Sequence, residues 1–429
     1  MYNMQKLRSI QTTSKVLVMF CNLIGLCPGH AEDWPEFRGP FKNGVSKSNQ
    51  LPTIWHYDPS GNSSTNIVWK SIIPGQGWSS PVIAHNQVFL TSAVREGSKI
   101  KLHALALELR SGKTLWNTEI FASDSIPSIH QKNGNASPTP VVVNRRVYVH
   151  FGHFGTACLT LDGKVVWKNN ELLYSPVHGN GGSPVVAENS LVFSCDGAEN
   201  PFVAALDTKT GKLKWKTVRI TDAKKKFSFS TPTVVEVAGT KQIISPGSGA
   251  VCAYDPKSGE EIWRVRYGEG YSVVPKPIYA NGMIYVATGY DRPTVMAIKP
   301  GGKGDVTDTH VAWTAARGAP NTPSLLHIDQ RLYMLSDAGI LSCLNALSGE
   351  QIWQERIGGN FSASPILAGD RIYLQNEEGV ATVLDAGPDF KVISKNSLGE
   401  RSLASYAVTD GALIIRTAQH LFRIGKIKG

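Results

Sequence analysis

The chain has 429 residues, 41 % of them aliphatic, aromatic or cysteine and 18 % charged, with 41 Gly and 24 Pro. That composition is globular and turn-rich, which excludes a disordered chain and a mostly helical one. The net charge of +10 is moderate and its basic residues are scattered; without a basic stripe interleaved with aromatics or a recognised motif, nucleic acid is excluded as a partner.

Lys6, Arg8 and Lys15 precede an apolar stretch, Val16 to Leu26, followed by "CPGHA" and the acidic "EDW". This pattern predicts a signal peptide over 1–31 with cleavage after Ala31. The run is short for a bilayer span, and a buried helix is the alternative. Leu26 and Phe20 are large where lipoprotein processing wants a small residue, which argues against a lipid anchor on Cys27 or Cys21. Removing the segment takes three of the 44 Lys and Arg and no acid, leaving 41 against 34. No second long apolar run follows, so the mature chain is expected to be soluble, to span no membrane, and to be periplasmic or secreted. A leader over 32–65 comes next, and its Trp34, Phe37 and Pro40 are expected to pack on the body that follows.

From residue 66 onward the chain repeats itself. Trp69, Trp116, Trp167, Trp215, Trp263, Trp313 and Trp353 recur at spacings of 47, 51, 48, 48, 50 and 40, and an eighth slot falls at "KVISK", where Ile393 stands in place of the aromatic. Ahead of each slot lie a small residue and usually Pro, a short β-branched stretch, a turn, and a second stretch. "SSPVIAHNQVFLTS", "GSPVVAENSLVFSC" and "ASPILAGDRIYLQN" show the pattern. Asn281-Gly282, Gly369-Asp370 and Asp410-Gly411 suit hairpin turns. A third strand such as "FVAALD" follows, then a Ser/Thr-Gly turn, then the tryptophan strand. Four antiparallel strands in such a unit make one propeller blade.

A blade has two faces and buries neither alone, so the recurring indole is expected to fill the space between neighbours. Gly112, Gly211, Gly259 and Gly349 sit where the turn before the last strand calls for positive φ. "NIVWK" (66–70) has no three strands in front of it, while the last unit (402–424) has three strands and no tryptophan strand. The reading is an all-β, eight-bladed propeller over 66–429, closed by the N-terminal strand pairing into the C-terminal blade, and a monomer.

Cys158, Cys252 and Cys343 fall on third strands of the second, fourth and sixth blades, and Cys195 ends a second strand of the third. Alternate blades cannot bring Cα atoms within about 7 Å, so four free, mostly buried thiols are expected. Lys224-Lys225-Lys226 reads as a solvated loop, with anion or lipid-headgroup contact as the alternative. "GGKGDVTDT" (301–309) lacks the spacing of a calcium loop and reads as a long hairpin turn.

The units "AALDTKTGKLKW" and "CAYDPKSGEEIW" resemble the repeats of pyrroloquinoline-quinone (PQQ) dehydrogenases, and equally the propeller of the lipoprotein that assists outer-membrane β-barrel assembly. The leader "DWPEFRGPFKNGVS" is similar to that of exported bacterial PQQ-like repeat proteins. The resemblance covers Asp33 to the C-terminus and rests on packing and turn residues, so it implies fold more than activity. The dehydrogenase likeness implies PQQ, calcium held by carboxylate and amide side chains, an adjacent Cys-Cys pair and an Asp base. This chain has no adjacent cysteines, and no residues map onto the calcium ligands; the expected cofactor and metal are none. The assembly-protein likeness implies a protein partner.

In such a ring, inter-blade loops and the loops between second and third strands surround the mouth of the central channel. The polar residues gathered there are His130, Lys132, Asn133, His153, His178, Asn180, Asp196, Glu199, Tyr271, Asp291, Arg292, Arg317, Asn321 and Asn360. They either satisfy backbone groups in tight loops or form a polar pocket for a small or glycan-like ligand. His130, His178 and Asp196 or Asp291 have the chemistry of acids, bases or metal ligands, without metal-ligand spacing. Two functions follow: an exported, non-catalytic binding or scaffold propeller holding a protein, peptide or glycan, with no catalytic residue; or an enzyme on the same face, a PQQ-type oxidoreductase or a hydrolase or lyase using the His, Asp and Arg loops.

Overall fold

The computed structural model describes residues 33–60 and 63–426; the segment read as a signal peptide lies outside them. Eight sheets follow one another along the chain. Blades 1 to 7 occupy 82–123, 141–169, 185–218, 233–266, 278–315, 326–356 and 366–397, each a four-stranded antiparallel meander. Blade 8 takes three strands from 407–425, and its fourth, Ile67–Ile72, comes from the other end of the described chain to pair antiparallel with His420–Gly425. The protein is an eight-bladed β-propeller closed between its two ends, as the incomplete first and last units imply.

The burial pattern explains why the tryptophans stand out in the sequence. A third strand such as Phe202–Asp207 is covered on both faces by adjacent blades, and its first five residues are buried. The outer strand Leu213–Val218 has a single buried position, Trp215. Between blades 3 and 4 a contiguous core joins Val192, Val203, Ala205 and Trp215 to Ile243, Cys252 and Tyr254.

Each indole does more than fill space. The Nε1 groups of Trp69, Trp116, Trp167, Trp215, Trp313 and Trp353 donate to Leu109, Leu161, Thr208, Pro256, Ala346 and Pro388 carbonyls, each on the turn of the next blade, at 2.8 to 3.2 Å. The turn glycine lies flat on the indole. At Gly259 (φ 73°) a Cβ would overlap the Trp215 ring, so this position excludes a side chain by conformation and by contact. Second-strand tyrosines add a second grip: Tyr148 and Trp167 share the Thr208 carbonyl, and Tyr285 and Trp313 share that of Ala346.

Two slots differ, each for a local reason. Trp263 donates within its own blade, to Gln242 Oε1 at 3.0 Å, because blade 5 puts a longer segment where the turn would be. That segment corrects the hairpin expected at 301–309: Gly304–Asp305 pairs in parallel with Trp263 and Arg264 as a fifth strand of blade 4, and Thr307–His310 forms one helical turn. Ile393 lies on the outer strand of blade 7, and the last two strands of blade 8, His420–Gly425 and Ile67–Ile72, are far apart in the chain, so no turn joins them to receive an indole. Trp55, 2 % exposed, lies beside that strand, with its backbone N–H on Asn396 Oδ1 at 2.9 Å.

All four described cysteines are free and buried, on the strands expected for them. Trp215→Ala is expected to cost about 3–5 kcal/mol of stability, and Trp353→Ala, at a half-buried slot, clearly less. Urea denaturation midpoints check this; equal small losses would show that the indoles do not hold the blades together.

Candidate functional site

Just ahead of each inner strand, where the sequence shows a small residue before Pro, a hydroxyl accepts a backbone N–H from the neighbouring blade. Ser80 N donates to Thr139 Oγ1, Thr139 N to Ser183 Oγ, and Ser183 N to Thr231 Oγ1, at 2.9 to 3.0 Å. Lys276 N donates to Ser324 Oγ, Ser324 N to Ser364 Oγ, Ser364 N to Ser405 Oγ, and Ser405 N back to Ser80 Oγ, at 2.9 to 3.1 Å. Seven of the eight junctions are closed this way. At the remaining one, between blades 4 and 5, Lys276 takes the place of the hydroxyl, and Ser230 Oγ donates to the Pro275 carbonyl instead.

Lys276 is 1 % exposed, and its Nζ reaches the Phe37 carbonyl at 2.9 Å and Glu36 Oε2 at 3.4 Å. The leader thus passes beneath the ring. Trp34 pairs with Ile83 of blade 1, Pro35 accepts from Val142 of blade 2, and Arg38 donates to the Leu325 and Pro365 carbonyls ahead of blades 6 and 7. Val45–Ser46 then adds in parallel to the inner strand of blade 7. To touch blades 1 and 2 and then 5, 6 and 7, the leader must cross the propeller axis. The hydrogen bonds described for Arg38 go to the Leu325, Pro365 and Asn43 carbonyls, and burial lowers its guanidinium pKa to about 9.

Above this crossing lies a cavity of ≈ 350 Å³ floored by Phe37 and lined by all seven ring hydroxyls. Its wall carries Trp78, His130, Lys132, Asn133, His178, Phe227, Phe229, Tyr271 and Tyr290. Five of the fourteen residues singled out from the sequence therefore line one space: His130, Lys132, Asn133, His178 and Tyr271. The His130 and His178 rings meet edge to face at 5.6 Å, and the His130 N–H and Asn133 Nδ2 both donate to the His178 carbonyl. Phe227 lies 5.3 Å from His178 and 5.4 Å from Tyr271, continuing an aromatic arc. Lys132 Nζ bridges to Glu377 Oε1 of blade 7 at 2.8 Å. Burial, together with the charges of His178 and Lys132, lowers the pKa of His130.

The other nine lie elsewhere. Asn180 is buried, its Nδ2 donating to the Phe151 carbonyl and its Oδ1 accepting from Tyr174, with His153 beside it. Asp196 forms a wholly buried pair with Arg219 at 3.2 Å, and Arg219 continues to the Ser245 carbonyl of blade 4; burial pushes the Asp196 carboxyl up against the pull of Arg219. Asp291 accepts from the Tyr271 hydroxyl on the outer rim. Asn321 N donates to Asp337, and the Asn360 carbonyl accepts from Glu377 N. Glu199, Arg292 and Arg317 are exposed. Sequence reasoning missed Phe37, Trp78, Glu377, Lys276 and the hydroxyl ring. The ring had a signal, the recurrent Ser/Thr-Pro, and "VPKP" broke it.

Among the described residues the lining contains no Asp, Glu or Cys side chain, and no group of three His, Cys, Asp or Glu side chains is arranged to hold a metal ion. The donor set that a PQQ and calcium site implies does not fit this cavity.

Fold and site together define a closed eight-bladed propeller with an axial cavity floored by its own leader. The chain belongs to the PQQ-like repeat family described as "Outer membrane protein assembly factor BamB", matched over 60–225, 199–328 and 326–388. It is 25 % identical over 304 residues to the dehydrogenase subunit of a quinone alcohol dehydrogenase of Gluconobacter oxydans, covering 65 % of this chain and 35 % of that one. It is 24 % identical over 322 residues to outer membrane protein assembly factor BamB of Yersinia pestis, covering 73 % and 67 %. The chain thus spans about a third of the first relative's length and two thirds of the second's. Among solved structures, BamB of Moraxella catarrhalis superposes with TM-score 0.58 at 12 % identity, covering 85 % of this chain and 98 % of that one. Quinohemoprotein alcohol dehydrogenase of Comamonas testosteroni superposes with TM-score 0.65 at 13 % identity, covering 92 % and 81 %. At these identities the likeness is one of fold.

Two measurements separate structure from site. Asp196→Ala leaves Arg219 buried without its partner and is expected to cost about 3–5 kcal/mol, whereas Asp291→Ala on the rim is expected to stay within about 0.5 kcal/mol. Burial holds the Lys276 ammonium down to about 8 from 10.5. Its folded value lies below its unfolded one, so the unfolded chain binds more protons and stability rises with pH. From pH 7 to 9.5 the wild type should gain about 2 kcal/mol relative to Lys276→Met; a gap that closes in the opposite direction would mean that Glu36, not burial, governs this amine.

Proposed function

We propose that the protein is an exported, non-catalytic binding propeller that holds a small ligand or a segment of a partner in the axial cavity. One observation carries this reading: Phe37 of the leader and loop residues from several blades line one cavity, with polar and aromatic groups converging on it. Its ≈ 350 Å³ falls within the range of small-molecule sites, about 300–1,000 Å³. The remaining candidate residues support the reading by their own employment. Asp196, Asn180 and His153 are engaged in holding loops and blades, and Glu377 is engaged with Lys132 and Ser362. The family membership supports a scaffold role, since one set of relatives is named for outer-membrane protein assembly.

Another set is named for quinone-dependent alcohol oxidation, and a direct assay separates the two. With PQQ and calcium added, the protein is expected to reduce no dye with alcohols or sugars, and steady turnover would replace this reading with a dehydrogenase. Co-crystallisation with a library of sugars, small acids and short peptides is expected to place density over Phe37; density confined to other surfaces, or none from the whole library, would overturn the axial site.

A further inference from the structure

The seven ring hydroxyls have a chemical property that their structural duty imposes. Each accepts a backbone N–H from the adjacent blade, and among the described residues none of them donates its own proton to a protein acceptor. A hydroxyl has one O–H to donate besides its lone pairs. All seven line the cavity, so its lower annulus offers O–H donors around the Phe37 ring. The wall adds the imidazoles of His130 and His178 and the Lys132 ammonium, the last paired with Glu377 Oε1 at 2.8 Å, while among the described residues no carboxylate side chain belongs to the lining itself.

Resting on the axial binding site proposed above, the geometry points to a ligand that is rich in acceptor oxygens and carries a carboxylate: a sugar acid. Its carboxylate and ring oxygens take the donors of the annulus, since an ionised carboxyl group only accepts, and charge-assisted hydrogen bonds of this kind are the strong ones. Its C–H face lies on Phe37 and the arc of Phe227 and Tyr271, which supply apolar surface of matching shape. An amine of the same size brings a second positive charge toward the Lys132 ammonium. A neutral sugar can use the same O–H donors and the lone pair left on each hydroxyl, but it brings no charge to strengthen those bonds.

Calorimetric titration with D-glucuronate, D-glucose and D-glucosamine tests this on the intact protein. Glucuronate is expected to bind at least about tenfold tighter than glucose, with glucosamine showing no saturable heat. Lys132→Met, with its melting temperature and circular dichroism checked against wild type, is expected to weaken glucuronate by about tenfold; an unchanged glucuronate affinity would overturn the part assigned to this ammonium. Glucose or glucosamine binding in the cavity as tightly as glucuronate would overturn the acceptor-rich inference while leaving the axial site in place. If none of the three binds, the sugar-acid inference falls, and the axial site stands or falls separately on the wider co-crystal screen.

Discussion

The contact on which the rest depends is the one between an outer-strand indole and the turn of the next blade. A four-stranded sheet with both faces apolar has no stable existence in water by itself. Burying an indole of roughly 150–250 Å² against a neighbour contributes about 4–6 kcal/mol before any entropic cost, and the Nε1 to carbonyl bond fixes the angle at which that neighbour sits. The turn glycine is required twice over, by its φ and by the ring resting on it. Repetition of this contact produces a ring, and the strand from the N-terminal side produces its closure.

Closure creates the second constraint, because eight inner strands arriving at one axis bring their backbone N–H groups together there. Seven are satisfied by hydroxyls on the adjacent blade. The same atoms then become the lower wall of the cavity, so the chemistry of the site is a by-product of how the ring is held shut. The eighth position shows the alternative use of that place: Lys276 reaches through to Phe37 and Glu36 and fastens the leader. Buried cations without a carboxylate recur at the seams. Arg38 faces carbonyls under blades 6 and 7, and Arg416 joins blade 8 to Ser79 and Thr91 of blade 1. Each is held on carbonyl and hydroxyl oxygens, which suits a planar donor fork but lowers both guanidinium pKa values to about 9.

Family membership and function come apart for the same physical reason. The residues that carry the resemblance are the indoles, the turn glycines and the apolar strands, which every member needs in order to close. Beyond the junction hydroxyls, the axial surface is built from inter-blade loops and the leader, which the indole contact does not constrain. Relatives named for membrane-protein assembly and for alcohol oxidation therefore share this scaffold, while Lys132, His178 and Phe37 belong to the part of the surface that the shared repeat leaves free to vary.

The sequence by itself determined the number of blades, the closing strand and the free cysteines, because periodic spacing and hydrophobic alternation are properties of the chain order. It also marked the loop set from which His130, Lys132, Asn133, His178 and Tyr271 come. It could not separate these from Asp196, Asn180 and His153, since a polar loop residue looks the same whether it faces a cavity or a buried guanidinium. Phe37 was legible as a packing residue but not as a cavity floor, and the Ser/Thr before Pro was legible as a repeat but not as a hydrogen-bonded ring. Those meanings arise only when blades far apart in the chain meet around one axis, and that meeting is a property of the tertiary structure alone.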